Sequence, residues 1–393
     1  MSIELQQPLS KLKEAFNSWL YLENDTVIDV IFATHIVNQV FDGDPVWLMI
    51  IGPPSNSKTE ILRALSQNRH VYSLSTVTNH TFLSAYKKKG SNEDHSLLPK
   101  ITGKTLILKD FTSILTMHRD TRGEILGQLR EIYDGYTSRN TGSKTLTWSG
   151  KLGLIAACTE VYDNYASVIT TLGDRFLLYR SHVKDSKKMG EQAIRLVGRL
   201  DLMRNELQEA TSTFLAQFED FSGELAFKLP DEISEKIVYL AMLCAYGRCP
   251  VERDRTNKEI TSFIHAEGSS RLTIQMTQLG QALALLYGKD TIDEDVYSIL
   301  ALLARGVLPA PRMAALKHLF ENKIFEHYEE TETTREVAEA IGMPTSTSRY
   351  ILEDLMVVGL LTGSSDKGKS NDPWKWCLNK MACSLLAKTG ALR

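Results

Sequence analysis

The chain has 393 residues, 43% hydrophobic and 24% charged, with a formal net charge of −3. That length has room for two or three domains of ordinary globular composition, and the charge excludes gathering nucleic acid by overall electrostatics. Cys158, Cys244, Cys249, Cys377 and Cys383 are widely scattered and read as reduced buried thiols, because no second close pair with zinc-ligand spacing exists.

Residues 1–42 read as helices. Leu9, Leu12, Ala15, Phe16, Trp19 and Leu20 recur at helical spacing, and 27–40 is a second amphipathic run. Asp44-Pro45 breaks the pattern before the apolar run Val46-Trp47-Leu48-Met49-Ile50-Ile51. Strand-like segments recur at 71–74, 106–108 and 152–157, with helical stretches between them. That alternation predicts an α/β domain over 43–186, a parallel sheet with flanking helices. From about Lys187 helical periodicity takes over, at 191–218, 230–246, 270–287 and 293–304, with no strand signal between. An α-helical domain is expected over 187–310. In the remaining 311–393, a short helix ends at the turn glycine Gly342, and Pro344-Thr345-Ser346 opens a second helix running to Val358. Two strands follow, at 360–362 and 374–378. Helix-turn-helix plus hairpin predicts a winged helix. No apolar run reaches membrane-spanning length, and residues 1–8 lack the charged-then-apolar pattern of a signal peptide. A cytoplasmic location without a membrane partner is expected.

The chemistry starts at Gly52-Pro53-Pro54-Ser55-Asn56-Ser57-Lys58-Thr59, directly after the first strand. Strand, loop and helix is the layout of a nucleoside-triphosphate site, with backbone N–H groups and a helix N-terminus facing the phosphates. Lys58 reaches the β/γ-phosphates and the Thr59 hydroxyl ligates Mg²⁺. The usual glycine before the lysine is replaced by Ser57, which has less backbone freedom. A second strand ends in Asp110, a carboxylate placed for the Mg²⁺ shell. The glutamate that often follows is Phe111 here; Glu131 or Asp134 is an alternative carboxylate, against a structural role at a helix end. Thr159, at the tip of the strand 152–157, suits orientation of water against the γ-phosphate. Arg175 follows a turn and can reach across an oligomer interface as an arginine finger, with Arg180 as runner-up and a local pair with Asp174 as the alternative. Arg271 opens a helix of the second domain, where it can contact the γ-phosphate.

In this order and spacing the residues resemble the AAA+ ATPase family, over roughly residues 27–305. Within it the chain is most similar to the branch of the minichromosome-maintenance helicases and their relatives on phages and integrative elements. Ala156-Ala157-Cys158-Thr159, Gly173-Asp174-Arg175-Phe176 and the helix opening with Arg271 carry that similarity. The resemblance implies an AAA+ core, an α-helical lid and ATP with Mg²⁺. In it Gly52 to Thr59 is the Walker A loop and Asp110 the Walker B aspartate. Thr159 is sensor 1, Arg175 the finger and Arg271 sensor 2. It also implies a ring or helical homo-oligomer, with a hexamer expected. Ser57 and Phe111 depart from the family pattern, and bear on hydrolysis rate more than on nucleotide binding.

The segment from Tyr136 to Trp148 corresponds in the resembled family to a hairpin that projects into the ring pore and touches DNA. Arg139 and Lys144 are then phosphate contacts, and Trp148 packs at the hairpin base. Ordinary surface charges are the alternative. Lys87-Lys88-Lys89-Gly90 is a second basic spot, or simply a solvated face. The winged helix offers Ser346, Thr347, Arg349 and Tyr350 to a groove, with Lys367, Lys369 and Lys375 near the wing. Residues 313–393 hold 10 Lys or Arg against 11 Asp or Glu, so this unit binds DNA by one face or docks a protein. The sequence therefore predicts an ATP-binding oligomeric motor or switch acting on DNA, in replication or mobilisation of a phage or integrative element. The alternative is an ATP-dependent remodeller or regulator of partner proteins with little intrinsic hydrolysis. A nucleotide-sensing scaffold is a third reading.

Overall fold

The computed structural model describes residues 8–54, 57–84, 96–140, 145–169, 173, 175–182, 184–219, 227–254, 256–263, 266, 268–325, 330–364 and 373–391. The chain divides into two compact units: Met1–Pro230 with Thr277–Val296, and Asp231–Met276 with Tyr297–Arg393.

In the first unit, α1 (Leu9–Trp19) and α2 (Thr26–Val40) precede β1 (Trp47–Ile51). Helix α1 buries Leu9, Leu12 and Phe16, one face of a helix. Helix α2 is covered all round from Val27 to Asn38, where the sequence predicts an amphipathic run. A mostly apolar helix covered on every side belongs inside, its buried Asp29, Thr34, His35 and Asn38 hydrogen-bonded, and α2 packs against β1 and two further strands of the same sheet. The Asn38 amide brackets Val46, donating to its carbonyl at 2.8 Å and accepting from its N–H at 3.0 Å. That pair aims the chain into β1 after the Asp44-Pro45 break.

The chain continues through α3 (Lys58–Leu65), β2 (Val71–Leu74), α4 (Leu98–Ile101), β3 (Thr105–Leu108), α5 (Thr112–Leu115) and α6 (Arg119–Tyr133). An antiparallel hairpin follows, β4 (Tyr136–Asn140) and β5 (Thr145–Ser149). Then come β6 (Gly153–Cys158), a 3-10 turn over Glu160–Tyr165, α7 (Ala166–Ile169), β7 (Phe176–Arg180), α8 (Ser186–Arg195) and α9 (Leu200–Ala216). Five strands form one parallel sheet in the order β2-β3-β6-β1-β7. The inner strands β1, β3 and β6 are buried along their whole length, as strands covered on both faces by helices must be. Trp47 anchors this core: its ring meets Tyr133 edge-on at 5.1 Å, and its Nε1–H donates to Leu152 O at 2.8 Å. The single helix expected over 191–218 is two helices, because Gly198 takes φ +75° between α8 and α9.

In chain order there follow α10 (Asp231–Gly247), the antiparallel pair β8 (Val251–Arg253) and β9 (Ile260–Phe263), α11 (Ser270–Leu286) and α12 (Glu294–Val307). The β8–β9 pair corrects the expectation of an uninterrupted helical region. The second half of α11 and the first residues of α12 belong to the first unit. The second unit is completed by α13 (Ala310–Glu321), β10 (Glu332–Thr333), α14 (Thr334–Ala340), α15 (Thr345–Val357), β11 (Leu361–Ser364), β12 (Lys375–Leu378) and α16 (Lys380–Thr389). A capping box between Thr333 and Glu336 starts α14, and Gly342 at φ +66° turns the chain into α15. The three short strands form an antiparallel sheet, β10-β12-β11, anchored by the buried Trp376, whose Nε1–H donates to Thr334 Oγ1 at 2.9 Å. No single described helix is long and apolar enough to cross a membrane.

Candidate functional site

Parallel pairing brings the carboxyl ends of β1, β3 and β6 to one edge of the sheet, with Ile51 beside Cys158 and Leu108 beside Ala156. Gly52 and Thr159 directly follow the ends of β1 and β6, and Asp110 comes two residues after β3; all three are positions predicted to carry chemistry. In open sheets of this kind ligands bind outside the carboxyl ends, where the strand order reverses. A cleft of about 440 Å³ lies here, lined by Pro54, Ser57, Lys58, Thr59, Asp110 and Thr159 among others.

The loop has two built constraints. A Cβ on Gly52 would sit 2.7 Å from Ser181 O, so only glycine fits the approach of the two chains. Ser57 takes φ +45°, ψ −12° immediately before α3, the left-handed conformation that a glycine there adopts freely. For an L-residue that conformation costs roughly 1–2 kcal/mol. Ser55 and Asn56 lie outside the described residues.

Lys58 opens α3 and is buried at 8% exposure. Its ammonium donates to Gly52 O at 2.6 Å and Pro53 O at 2.7 Å, which fixes it over the loop. Burial depresses its pKa to about 8, opposed by the nearby Cys158 and Glu160. Glu160, which opens the 3-10 turn beyond Thr159, is thus an acidic neighbour that sequence reasoning passed over. Glu60, in the first turn of α3, is held by the Arg204 guanidinium through two contacts of 3.1 Å.

At the end of β3, Asp110 is exposed and its Oδ1 accepts from Ser113 N at 3.4 Å. Phe111 is fully buried, its N–H donates to Ala157 O at 2.7 Å, and its ring meets Phe176 at 5.9 Å. The next residue, Thr112, belongs to the cleft. Its Oγ1 accepts from Thr159 N at 3.1 Å and lies 3.3 Å from Thr159 Oγ1. Thr112 was missed from sequence; the signal was a hydroxyl directly after an apolar residue that must turn inward. Lys109, also on the cleft, has its pKa lowered by burial and then by Arg63.

The same cleft is lined by Leu20 and Tyr21, after α1, and by Met189, Gln192, Ala193 and Leu196 of α8 and its end. Gln192 Nε2 donates to Trp19 O at 2.8 Å and ties these walls together. Helix α8 buries none of its own residues, so its composition carries no core signal. An exposed carboxylate at Asp110 and a hydroxyl at Thr59 suit a hard divalent cation that keeps several waters. The cleft volume falls within the range of small-ligand sites.

The remaining predicted residues lie elsewhere. Arg175 is buried, and its Nη2 donates to both carboxylate oxygens of Asp134, at 2.8 and 2.7 Å, with the guanidinium 5.4 Å from the Tyr133 ring. The register Trp47↔Phe176 puts it at the amino end of β7, one strand length from the loop, about 16 Å at about 3.3 Å per residue. Asp174 lies outside the described residues. Arg180 ends β7 beside Ile51 and makes a two-pronged pair with Asp163 at 2.9 and 2.7 Å. Glu131 accepts from Thr137 Oγ1 and Asp134 serves Arg175, so both alternative carboxylates have structural partners away from the cleft. Arg271 opens α11 within the second unit. Arg139 of β4 points its Nη1 at the carbonyls of Asn79 (2.6 Å) and Leu83 (3.1 Å), and Trp148 is buried with its Nε1–H on Thr102 Oγ1 at 2.8 Å. Ser346, Arg349 and Tyr350 line a cleft of the second unit, Thr347 is half-buried and Lys375 lies in β12. Lys87, Lys88, Lys89, Gly90, Lys144, Lys367 and Lys369 lie outside the described residues. The chain matches no known protein-family model and no curated protein.

Proposed function

We propose that the first unit binds ATP with Mg²⁺ and that the chain is an AAA+ type oligomeric motor or switch acting on DNA. The observation that carries the nucleotide reading is the convergence of Lys58, Thr59, Asp110 and Thr159 in one cleft at the carboxyl ends of three adjacent parallel strands. The strand order β2-β3-β6-β1-β7 and the helices on both faces support the AAA+ core. The helix pair α14–α15 with the sheet β10-β12-β11 supports a winged helix.

On this reading the Lys58 ammonium turns from the Gly52 and Pro53 carbonyls to the β/γ-phosphates. Thr59 and Asp110 hold the cation, whose charge neutralises the phosphates. Thr159, fixed by Thr112, orients the attacking water. Leu20, Tyr21 and the α8 side chains exclude water from the base and sugar. Arg175 sits too far along β7 to serve its own loop, so on this reading it acts on a neighbouring subunit's nucleotide in a ring or helical assembly, and must first leave its buried pair with Asp134 to do so. Replication or mobilisation of a phage or integrative element is the setting we infer, in the cytoplasm.

Phe111 favours a second reading, a remodeller or regulator of partner proteins that binds ATP and turns it over slowly. Its ring is locked in the core, so no carboxylate stands directly after Asp110, and Glu160, beyond Thr159, is the acidic side chain that acts on Lys58 among the described residues. The deciding experiment measures ATPase rate with and without single- and double-stranded DNA, together with the mass of the ATP-bound assembly. DNA-stimulated turnover by an oligomer supports the motor; an unresponsive, slow rate supports the regulator.

A further inference from the structure

The second unit has a cleft of its own, about 1110 Å³, between the β8–β9 hairpin and helix α15. The hairpin is fastened to the helix by Arg253. Its Nη2 reaches Asp354 Oδ1 at 2.7 Å and its Nη1 reaches Glu353 Oε2 at 3.1 Å. Its guanidinium also lies 4.7 Å from the Tyr350 ring. Arg312 of α13 completes the joint: it bonds the other Asp354 oxygen at 3.0 Å, and the carbonyls of Gly247 and Cys249 just before β8 at 3.0 and 2.6 Å. Both arginine side chains are largely buried, at 15% and 9% exposure, so this is a fixed joint rather than a passing surface contact.

The joint decides what α15 can touch. A DNA major groove is about 12 Å wide and admits one helix or one two-stranded ribbon. A helix with its side chains already spans about 10–12 Å. The hairpin is fastened at Tyr350, Glu353 and Asp354, so the second half of α15 carries a second element that a groove of that width does not admit beside it. The cleft between hairpin and helix remains accessible to a single extended chain.

Its lining fits one class of chain. Lys258, Arg335 and Arg349 supply positive charge that outweighs the carboxylates of Glu259 and Glu353, and Tyr350 and Trp374 supply aromatic surface. Trp374 is a held platform: it stacks on the buried Trp376 at 5.3 Å and an interplanar angle of 20°. Arg335 and Arg349 are 81% and 52% exposed; Arg335 makes an i,i+4 contact with the exposed Glu339, which exchanges easily for a phosphate, and Arg349 makes one with Glu353, the carboxylate that also takes Arg253. Cations beside stacking platforms are how proteins hold unpaired nucleic acid, the backbone on the charges and the bases on the rings. An acidic peptide would use the charges and leave the platform idle.

We propose that this cleft binds a single nucleic-acid strand, with Arg335 and Arg349 on phosphates and Trp374 under a base. The proposal deepens the DNA reading above and rests on it for the kind of polymer. Its test is run without nucleotide, so that failure of ATP binding and failure of this cleft are separate results.

Fluorescence anisotropy on the full chain would compare a short labelled thymidine oligomer, the matching uridine oligomer and a duplex of equal length across a salt series. The strand is expected to bind more tightly than the duplex, and the better of the two oligomers assigns the sugar. Arg335→Ala with Arg349→Ala should flatten the salt dependence by about 0.7 per lost contact. Trp374→Leu should weaken binding about tenfold or more with the salt slope kept, and Trp374→Phe should restore most of it. Thermal melting checks each variant; the two arginines are exposed, so that pair tests the cleft even if Trp374→Leu fails to fold. Equal or tighter duplex binding, arginine variants without effect, or displacement of the strand by a polyglutamate peptide would overturn the proposal, the last in favour of a protein ligand.

Discussion

The ring of Phe111 meets the ring of Phe176 at 5.9 Å and 69°, which places the residue after Asp110 inside the sheet's core instead of in the cleft. A carboxylate at 111 would therefore be buried and unpaired. Phe111→Ala is expected to cost about 3–5 kcal/mol, and Phe111→Glu at least as much, without gain of ATP turnover. Urea unfolding with a parallel ATPase assay checks both; a stable, faster Phe111→Glu protein would refute the packing argument.

Lys58 gives the site a pH dependence. Its pKa in the folded chain is about 8, below the ordinary 10.5, so between those values the unfolded state binds more protons than the folded one. Stability from this group accordingly rises with pH through that window, and the burial penalty is largest below pH 8. Nucleotide affinity should move the opposite way, falling above about pH 8 as the ammonium loses its charge. Lys58→Ala should abolish affinity while leaving the fold intact. Titration with a fluorescent ATP analogue from pH 7 to pH 10, with melting curves alongside, tests both signs.

The loop's two small residues should behave differently. Gly52→Ala drives a Cβ to 2.7 Å from Ser181 O and is expected to remove ATP binding. Ser57→Gly relieves the φ +45° conformation and should keep binding, with stability raised by up to about 1 kcal/mol after the added freedom of the unfolded chain. Equal loss of affinity in both variants would contradict this loop geometry.

Arg175 and Asp134 separate a catalytic from a structural role. Arg175→Ala and Asp134→Asn both break the same ion pair and should each lose about 1–3 kcal/mol. If Arg175 acts on a neighbour's nucleotide, Arg175→Ala abolishes turnover while Asp134→Asn retains it. Mixing Arg175→Ala with Lys58→Ala subunits then restores part of the rate. Identical kinetics for the two single variants, or no recovery in mixtures with confirmed assembly, would make the arginine structural only.

The tips of β1, β3 and β6 were legible because each apolar run stops abruptly, at Gly52-Pro53, Lys109-Asp110 and Thr159, and parallel pairing carries those stops to the same edge. The partners of Arg175 and Arg253 were not. Asp134 is 41 residues from Arg175 and Asp354 is 101 from Arg253, distances at which periodicity carries no information. The β8–β9 hairpin was missed for a related reason: Val251-Glu252-Arg253 reads as a charged surface, and its place comes from the Arg253 joint. The turn at Gly198 was visible as a glycine, but a glycine inside a periodic stretch is tolerated often enough that only the backbone decides.

The burial of Phe111 has a temporal meaning. A positioned general base is worth about 10²–10⁴ in rate, so a site that works by orientation alone holds its triphosphate longer by a similar factor. On the function proposed above, the bound state then outlasts many encounters with a partner, and release is set by whatever supplies the missing push. On that same proposal the chain would act as a timer whose interval is set from outside, by the neighbour or polymer that completes the site.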